Sequence, residues 1–301
     1  MSKCLVTGGC GFIGSTLVDR LIELGNEVQV IDDLSATCNN KFFKNPLALY
    51  SKANITNHGA VKRVFKKFKP EFVFHLAANS RIQVAMKKPI ETCDVNFTGT
   101  ANLLQLSTEF NVKRFVFSST SSVYGLNSRL PLSENSDVDC LNIYSSTKFG
   151  AEALCKMFHS LHGLPTIIFR YFNVYGPREP VKGLYAPVVG LFLKQFHQKK
   201  EMTIVGDGLQ TRDFTHVYDV VKANVKAVSA SDEKCFGEVF NVGSATNHSV
   251  LDLAKRIGGP YSFIKARDGE ARNTLADITK IKKYLSWTPS GSIMEYIDAH
   301  K

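Results

Sequence analysis

Residues 7–14 read TGGCGFIG and join a short apolar run, KCLVTG (3–8), to a helical pattern. That pattern extends from Phe12 to Leu24 and is stopped by Gly25–Asn26. A glycine-rich turn between a first strand and a first helix lets the pyrophosphate of a dinucleotide approach the helix N-terminus. The sequence therefore predicts a strand–turn–helix unit that binds a dinucleotide.

The glycine spacing and an acidic pair downstream indicate which dinucleotide this is. Two overlapping patterns, G-x-G-x-x-G and G-x-x-G-x-x-G, are formed by Gly8, Gly9, Gly11 and Gly14. Asp32–Asp33 ends the second strand-like run, EVQVIDD (27–33). An acid there accepts hydrogen bonds from the adenosine ribose hydroxyls and repels a 2′-phosphate, which favours NAD over NADP. The alternative is a glycine turn followed by solvated acids.

Apolar strands alternate with helices through the first half of the chain. The further strand-like runs are EFVFHLAA (71–78), RFVFSST (114–120) and PTIIFRYF (165–172), with helical patterns around 92–109 and 142–162. Near-continuous apolar strands separated by helices indicate a parallel sheet that is covered on both faces. The predicted fold is α/β, a Rossmann-like doubly wound sheet.

The pattern loosens after residue 173. NVYGPREPVKG (173–183) reads as a loop, helical segments follow near 185–199 and 216–230, and EVFNVG (238–243) reads as a last strand. Residues from 250 onward suggest weak helices broken by Gly258–Gly259–Pro260. We expect a dinucleotide-binding domain at 1–172, with return elements near 214–243. A smaller C-terminal α/β lobe at 173–301 would bind the substrate.

Composition excludes some classes of function. The 301 residues carry a net charge of +10, but the densest basic run, VKRVFKKFKP (61–70), spaces its apolar residues as an amphipathic helix with a solvated lysine face. Without a nucleic-acid signature, the charge suits a small acidic ligand, so no nucleic acid is expected as a partner. No apolar run is long enough for a membrane span and no leader precedes the first strand, so we expect a cytoplasmic protein.

The seven cysteines stand at positions 4, 10, 38, 93, 140, 155 and 235, without a C-x-x-C pair or a cluster with histidines. We therefore expect thiols, no disulfide and no structural metal.

A tyrosine and a lysine stand four residues apart in YSSTK (144–148). On a helix Tyr144 and Lys148 share one face, and in isolation they would be a surface pair. Beside a nicotinamide cofactor they acquire a role, because a nearby cation lowers the pKa of the phenol. Tyr144 would then exchange a proton with a sugar hydroxyl. FSSTSSVYG (117–125) starts at a strand end and offers a hydroxyl to the same reacting oxygen.

These motifs together resemble the extended short-chain dehydrogenase/reductase family. HLAA (75–78), VNFTGTANLL (95–104), SSTSSVYG and YSSTK belong to that pattern, and RYFNVYGPRE (170–179), GDGLQTRDFTHVYD (206–219), FNVGS (240–244) and LADITKIKKYLSWTP (275–289) extend it into the second lobe. They resemble the nucleotide-sugar 4-epimerase branch in particular. The resemblance implies NAD as cofactor, a nucleotide-diphosphate sugar as substrate, and a homodimer built from the helices near 92–109 and 142–162.

The resemblance also implies roles for individual residues. The catalytic group would be Thr120, Tyr144 and Lys148. The cofactor contacts would be Gly8, Gly11, Phe12, Ile13, Gly14, Asp32, Asp33, Asn54, Ile55, Leu76, Ala77, Ala78, Asn96, Tyr144, Lys148 and Tyr171. The sugar diphosphate would be held by Asn173, Arg212 and Arg267.

Several of these residues have plainer interpretations. Thr120 could cap a turn, Arg212 could pair with Asp213 or Asp219, and Arg267 could be an exposed charge. His75 has the chemistry of a base, but we expect it to pack at the end of its strand.

Two departures from the family pattern refine the prediction. KANIT (52–56) places Asn54 where an acid normally holds the adenine amine, and its carbonyl oxygen could accept that bond instead. Ser121–Ser122 follow Thr120, where related dehydratases carry an Asp–Glu pair and related decarboxylases a glutamate. The branch that needs no extra acid is the epimerase. A dehydratase, decarboxylase or reductase remains the alternative, as does a non-catalytic sensor.

Thr274, near the AD of RNTLADITK (272–280), occupies a position that in this branch lies near the sugar's 2-substituent. A tyrosine there goes with plain hexoses and a small residue with N-acetylated ones. We therefore expect UDP-N-acetylhexosamines to be accepted along with UDP-glucose or UDP-galactose.

Overall fold

The structure is a computed structural model that describes residues 1–36, 42–127, 129–181, 186–266 and 271–301. Its strands are β1 Lys3–Thr7, β2 Glu27–Asp32, β3 Leu49–Lys52, β4 Phe72–His75, β5 Arg114–Thr120, β6 Thr166–Tyr171, β7 Val174–Tyr175, β8 Met202–Val205, β9 Thr211–Asp213, β10 Thr215–His216, β11 Glu238–Val242, β12 Asn247–Ser249 and β13 Tyr261–Ile264. Its α-helices are α1 Phe12–Glu23, α2 His58–Phe68, α3 Ile82–Lys87, α4 Pro89–Cys93, α5 Gly99–Glu109, α6 Ile143–His162, α7 Val188–His197, α8 Val217–Ser229, α9 Val250–Ile257, α10 Thr279–Leu285 and α11 Ile293–His300.

The central sheet of the described chain has seven strands in the order β11-β6-β5-β4-β1-β2-β3, and every pair in it is parallel. The chain builds outward from β1 to β3, returns to β4 and then builds in the opposite direction. The strand order therefore reverses between β1 and β4, and ligands of open α/β sheets bind at such a point. The predicted α/β, doubly wound fold is confirmed.

Alternate residues of the same strands fill two hydrophobic cores, one on each face. Val6, Val30 and Phe74 pack with residues of α1, α8 and α10, whereas Leu5 and Ile31 pack with residues of α2, α5 and α6. Helices thus cover both faces, which explains why the sequence shows continuous apolar runs rather than alternation.

One helical stretch of the second face is irregular. It starts at α4, passes through a π-helical turn at Asp94–Thr98 and continues as α5. The sequence predicted this helix from residue 92, whereas the structure starts it at Pro89, a residue suited to the first turn of a helix.

The smaller lobe has its own core, which includes Tyr175 and Phe192 and is formed largely by α7, α9, α11 and β8. Two two-stranded sheets lie in it, β8 with β13 in parallel and β9 with β12 antiparallel. From residue 250 onward the described chain has the helices α9, α10 and α11, as expected, together with the strand β13, which the sequence did not predict.

Residues after the lobe's strands also return to the main domain. Ile281, Leu285 and Trp287 are buried in the first core, and Trp287 Nε1 donates a hydrogen bond to the carbonyl of Asp219 at 2.9 Å.

No helix in the described ranges is long and apolar enough to cross a membrane. Six cysteines in those ranges carry free thiols, and Cys38 lies outside them.

Candidate active site

A cleft of about 590 Å³ opens at the carboxyl ends of the central strands and extends to the lobe. The turn after β1, the ends of β2 and β4, and the first turns of α6 line one part of it. Residues of β8 and β9 line the other part. The cleft thus lies at the point where the strand order reverses and holds both halves of the predicted site.

The glycine turn leaves no room for side chains. Gly8 adopts a φ of +71°, and a Cβ on it would lie 2.8 Å from the backbone nitrogen of Ala77. A Cβ on Gly14 would lie 2.2 Å from the carbonyl oxygen of Gly8. Gly11, Phe12 and Gly14 line the cleft where α1 begins. Backbone N–H groups of a first helical turn have no helical partners and attract anions, so the turn fits the pyrophosphate of NAD.

The acidic end of β2 braces this turn. The two carboxylate oxygens of Asp32 accept hydrogen bonds from the backbone nitrogens of Cys10 and Leu34, each at 2.9 Å. Burial raises the pKa of Asp32, although these hydrogen bonds act against it. Asp32 therefore fixes the loop while its carboxylate lines the cleft.

The side chain of Asn54 makes hydrogen bonds with Thr56 and Asp33. Its carbonyl oxygen accepts two hydrogen bonds from Thr56, one from the backbone nitrogen at 2.9 Å and one from the hydroxyl at 2.8 Å. Its amide nitrogen donates to Asp33 at 3.0 Å. Asn54 lines the cleft, and its carbonyl oxygen also accepts hydrogen bonds within its own turn, so its contact with an adenine amine stays a prediction.

The loop after β4 forms the facing wall. Ile55, Leu76, Ala77 and Ala78 line the cleft as predicted, whereas Asn96 does not line it. Asn96 is fully buried, and its amide contacts both backbone groups of Asn79 and the Thr147 hydroxyl. Asn96 thus connects the loop to α6 from behind.

His75 packs at the strand end, as expected. Its ring nitrogens contact the hydroxyls of Thr7 and Thr100, each at 2.8 Å. Burial holds its pKa well below the ordinary value, so the ring is neutral. Because the Thr100 hydroxyl donates to the Asn96 carbonyl, it accepts from Nε2, and Thr7 therefore donates to Nδ1.

Tyr144 lies in the first turn of α6, which a capping box between Asn142 and Ser145 fixes at its N-terminus. The phenol shares a hydrogen bond with the side chain of Thr120, which also accepts from the backbone nitrogen of Ser122 at 3.1 Å. Thr120 is therefore both a turn cap and a partner of the tyrosine. Burial raises the pKa of Tyr144 and outweighs the opposing effect of Thr120.

Lys148 lies one turn further along α6, also on the cleft. Its Nζ is 4.1 Å from the centre of the Phe117 ring. Burial lowers the pKa of Lys148 to about 7, although Cys155 and Glu152 act in the opposite direction. In the protein without cofactor, burial is the largest influence on the pKa of both residues. The lowering of the Tyr144 pKa by Lys148 beside NAD stays a prediction.

Tyr171 lines the cleft from the end of β6. Its hydroxyl lies 3.0 Å from the Ser118 hydroxyl and accepts a hydrogen bond from the Asn224 amide at 2.7 Å. The sequence did not point to Asn224, because it lies on α8 within an ordinary helical pattern.

The predicted substrate residues Asn173, Arg212 and Thr274 converge at the lobe side of the cleft. The Asn173 amide donates to the Asp213 carbonyl at 3.2 Å and to the Thr274 hydroxyl at 3.4 Å. Arg212 Nη1 donates to the backbone carbonyls of Thr211 and Arg272, each at 3.0 Å. Arg267 lies outside the described residues.

The acids suggested as partners of Arg212 are engaged elsewhere. The carboxylate of Asp213 accepts from Ser244, Ala245 and Ala276. That of Asp219 accepts from Ser290 and Gly291. Both carboxylates hold loops together.

The cleft is also lined by residues to which the sequence analysis gave no role. They lie after β4, on β8 and just before β9: Asn79, Ser80, Arg81, Gln83, Thr203, Val205 and Gln210. Asn79 and Ser80 directly follow HLAA, and Gln210 lies within GDGLQTRDFTHVYD, so a position in or beside a motif was the available signal. Thr203 and Val205 gave no such signal, because β8 was not predicted.

Residues 4–243 match the model of the NAD dependent epimerase/dehydratase family. The chain belongs to this family, which confirms the predicted resemblance and NAD as the cofactor.

Individual relatives match along nearly the whole chain. The chain is 34% identical to a UDP-glucuronate 4-epimerase of Thermodesulfobacterium geofontis, over 98% of this chain and 94% of that protein. It is 33% identical to a UDP-glucose 4-epimerase of Mycolicibacterium smegmatis, over 98% and 96%. The crystal structure of a UDP-glucose 4-epimerase of Thermotoga maritima with UDP-glucose is similar at a TM-score of 0.92 and 35% identity, over 99% of this chain and 97% of that one.

Proposed function

We propose that the protein interconverts the two epimers at carbon 4 of a UDP-hexose or UDP-N-acetylhexosamine through a transient 4-keto sugar. The observation that carries this proposal is the composition of the catalytic part of the cleft. Tyr144, hydrogen-bonded to Thr120, and Lys148 lie there, and Ser121 and Ser122 stand where an elimination would need acids. Similarity to 4-epimerases over the whole chain supports the same reaction.

NAD would be held by the glycine turn, by Asp32 and Asp33, and by the wall from Leu76 to Ala78. The chemistry that NAD supplies when bound is reversible acceptance of a hydride. The backbone of the glycine turn would bind the pyrophosphate, and the acids would bind ribose hydroxyls. Tyr171 would contribute through a ring that Ser118 and Asn224 orient.

Tyr144 would move the proton. As the phenolate, Tyr144 would take the proton of the sugar's 4-hydroxyl while the hydrogen on carbon 4 leaves as hydride to NAD, and as the phenol it would return that proton when the hydroxyl forms again. Because burial raises the pKa of Tyr144, the phenolate needs positive charge nearby. Lys148 is one cation of the cleft, and the oxidised nicotinamide ring carries another. Thr120 would hold the reacting oxygen by a shared hydrogen bond.

The distribution of acids separates this reaction from its alternatives. Among the described residues, the acids that line the cleft are Asp32 and Asp33, at the cofactor end. A 4,6-dehydratase must also remove a proton from carbon 5 and protonate a leaving hydroxyl, which Ser121 and Ser122 are poorly suited to do. The epimerase therefore remains ahead of the dehydratase and the decarboxylase.

The lobe side of the cleft would bind the sugar nucleotide. Arg212 would grip the diphosphate, since a guanidinium can contact two phosphate oxygens, and Arg267 would assist it. Asn173 would hold the diphosphate beside it. Thr274 is 6% exposed and lines the cleft, and its small side chain supports acceptance of an N-acetyl group.

The division into domains follows this assignment. We propose that residues 1–172 with the return elements at 214–243 bind NAD, and that most of 173–301 binds the sugar nucleotide. Burial of Ile281, Leu285 and Trp287 in the first core supports grouping part of the tail with the proposed NAD-binding domain.

We also propose a homodimer, formed through α4, the π-helical turn and α6. Apolar side chains are exposed on these elements: Ile90 at 76%, Phe97 at 40%, Phe149 at 40% and Leu161 at 70%. Light scattering of the wild type should give twice the mass of the chain, and Phe97→Glu should give the monomer. A cytoplasmic location, where NAD and nucleotide sugars are present, fits the free thiols.

Proton NMR of the protein with UDP-glucose, UDP-N-acetylglucosamine and UDP-glucuronate tests the reaction. An epimerase gives an equilibrium mixture of 4-epimers without added NAD. A 6-deoxy-4-keto product would instead support the dehydratase, and a pentose product the decarboxylase. The absence of turnover with intact NAD binding would support the sensor.

A further inference from the structure

Two charged side chains are buried between α6, the proposed catalytic helix, and the neighbouring strand β6. Glu152 of α6 and Arg170 of β6 are 1% and 3% exposed. Arg170 donates to Glu152 through Nε at 3.0 Å and through Nη2 at 2.7 Å, which makes the pair bidentate. A buried ion pair is weak evidence of stability, so its presence here calls for another explanation.

The carboxylate of Glu152 also connects both strand ends to α6. The hydroxyl of Ser119, on β5, donates to Glu152 Oε1 at 2.5 Å. Ser119 and Arg170 are register partners on neighbouring strands, and the next register pair is Thr120 with Tyr171. The Glu152 carboxylate therefore fixes α6 against Ser119 and Arg170, which directly precede Thr120 and Tyr171.

The helix transmits this position to the proposed catalytic side chains. Glu152 follows Lys148 by four residues and Tyr144 by eight, so all three lie along one face of α6. Rotation or sliding of α6 would separate the Tyr144 phenol from Thr120. The Glu152 contacts oppose that movement at the end of the strand that carries Thr120.

We propose that Glu152 is a positioning residue for the reaction: its carboxylate, shared by Ser119 and Arg170, fixes α6 so that the Tyr144 phenol meets Thr120. This inference rests on the proposed function, because the Tyr144–Thr120 contact matters only if the pair handles a proton.

The same carboxylate acts on Lys148 through charge. The titratable groups facing Lys148 are Glu152 and Cys155 on its own helix and His75 on β4, which is neutral. Arg170 of β6 forms an ion pair with Glu152 at 2.7 Å. Loss of the Glu152 charge therefore leaves Arg170 unbalanced and disfavours the ammonium form of Lys148.

Two variants and a control test the inference. Ser119→Ala removes the Glu152 contact without burying an unpaired charge, and Glu152→Gln removes the charge at nearly constant volume. Ser107→Ala is the control, because Ser107 is a fully buried hydroxyl on α5 without a hydrogen-bond partner in the described chain.

We expect Ser119→Ala to lower kcat by about three- to tenfold with unchanged KM and NAD content, since small misplacements of catalytic groups reduce rate. Ser107→Ala should keep the wild-type kcat. A Ser119→Ala protein with the kcat of Ser107→Ala would overturn the positioning role, whether or not Glu152→Gln folds.

A measurement on Lys148 itself does not depend on turnover. In protein with ¹³C-labelled lysine, the Lys148 signal, assigned with Lys148→Arg, should titrate near pH 7. Glu152→Gln should move that midpoint down by roughly 0.5–1 in pH, and Ser119→Ala should leave it in place. An unmoved midpoint in folded Glu152→Gln would overturn the charge contact.

Amide hydrogen exchange separates this inference from the proposed function. Ser119→Ala should speed exchange over residues 143–148, and Ser107→Ala should not. Suppose that the wild type lacks epimerase activity while Ser119→Ala still exchanges faster than Ser107→Ala over residues 143–148. The proposed function would then be wrong, and the role of Glu152 in holding α6 against β5 would stand. Equal exchange in both variants would overturn the connection.

Discussion

Replacing Gly14 with alanine perturbs the proposed NAD site at its most crowded point. The new methyl carbon would lie 2.2 Å from the carbonyl oxygen of Gly8, and 2.9 Å from the Cα of Gly9. Contacts of Cβ atoms below 3.0 Å are essentially not seen, so the turn must open by about 0.8 Å. The obstructing atoms belong to the backbone, and Gly8 is itself held to Ile31 of β2 by a 2.9 Å hydrogen bond.

The cost follows from two opposing effects. Overfilling a packed site costs about 1–3 kcal/mol, whereas alanine in place of glycine in a helix contributes about 1 kcal/mol of stability. The free energy of unfolding without NAD should therefore fall by roughly 0–2 kcal/mol. NAD binding has no such compensation. If the 1–3 kcal/mol falls on the NAD-bound form of the turn, NAD affinity drops by about five- to 150-fold.

Purified protein is assayed for NAD after denaturation, and NAD is titrated by calorimetry into stripped protein. The wild type should carry NAD as purified, because an epimerase must not release NADH between its two hydride transfers. Gly59→Ala is the control, since its Cβ in α2 meets no atom closer than 3.7 Å. A Gly14→Ala protein with the NAD content and affinity of Gly59→Ala would refute the reasoning.

Four further substitutions test other parts of the molecule. Tyr144→Phe should keep NAD bound and lower turnover by roughly 10²-fold or more, as measured by NMR; wild-type turnover would contradict its role as the proton carrier. Arg212→Ala should weaken UDP binding by about ten- to a hundredfold in a calorimetric titration, and unchanged affinity would mean that the diphosphate is held elsewhere. Thr274→Tyr should remove activity on UDP-N-acetylhexosamines and spare that on UDP-hexoses, because overfilling a pocket penalises the larger ligand; equal effects on both would exclude Thr274 as the gate. Glu179 is buried, and burial raises its pKa from the ordinary 4.5 to about 8. Between these two pH values the folded state binds more protons than the unfolded state. The free energy of unfolding therefore falls as the pH rises from 4.5 to 8. Glu179→Gln should therefore flatten unfolding free energy between pH 5 and 8, with a gain on the order of 3 kcal/mol near pH 7, and denaturant curves that keep the wild-type slope with pH would contradict this.

The sequence predicted the parts of the fold that are locally encoded. The run from Lys3 to Gly14 contains the strand, the turn and the helix start, and each has a short-range signal. The edge strand β3 has no such signal, because Leu49 is 60% exposed and the strand is largely polar. The lobe strands are short and pair in twos, so few of their residues carry an apolar pattern.

Most of the residues predicted for the site line the candidate cleft, but the electrostatic environment of the cleft was not predictable. The motifs placed Tyr144 and Lys148 on one helix face, and both line the cleft. Their pKa values depend on burial, which the rest of the fold creates and local spacing does not show. Asn96 illustrates the same limit. Its motif marked it as important, but only the packing shows that it acts from behind the wall of the cleft.

The return of α10 and Trp287 to the first core has a consequence for synthesis on the ribosome. Asn224 of α8 donates a hydrogen bond to Tyr171 and so orients its ring. Helix α8 packs against α10, and the backbone carbonyl of its Asp219 accepts a hydrogen bond from Trp287. A nascent chain that has emerged only to residue 172 has its glycine turn but lacks β11, the edge strand beside β6, and the residues that cover this face. The half that carries the glycine turn therefore cannot complete its packing before most of the chain has been made. Folding of the two halves is coupled by chain connectivity, and the half that appears first in the sequence is finished late.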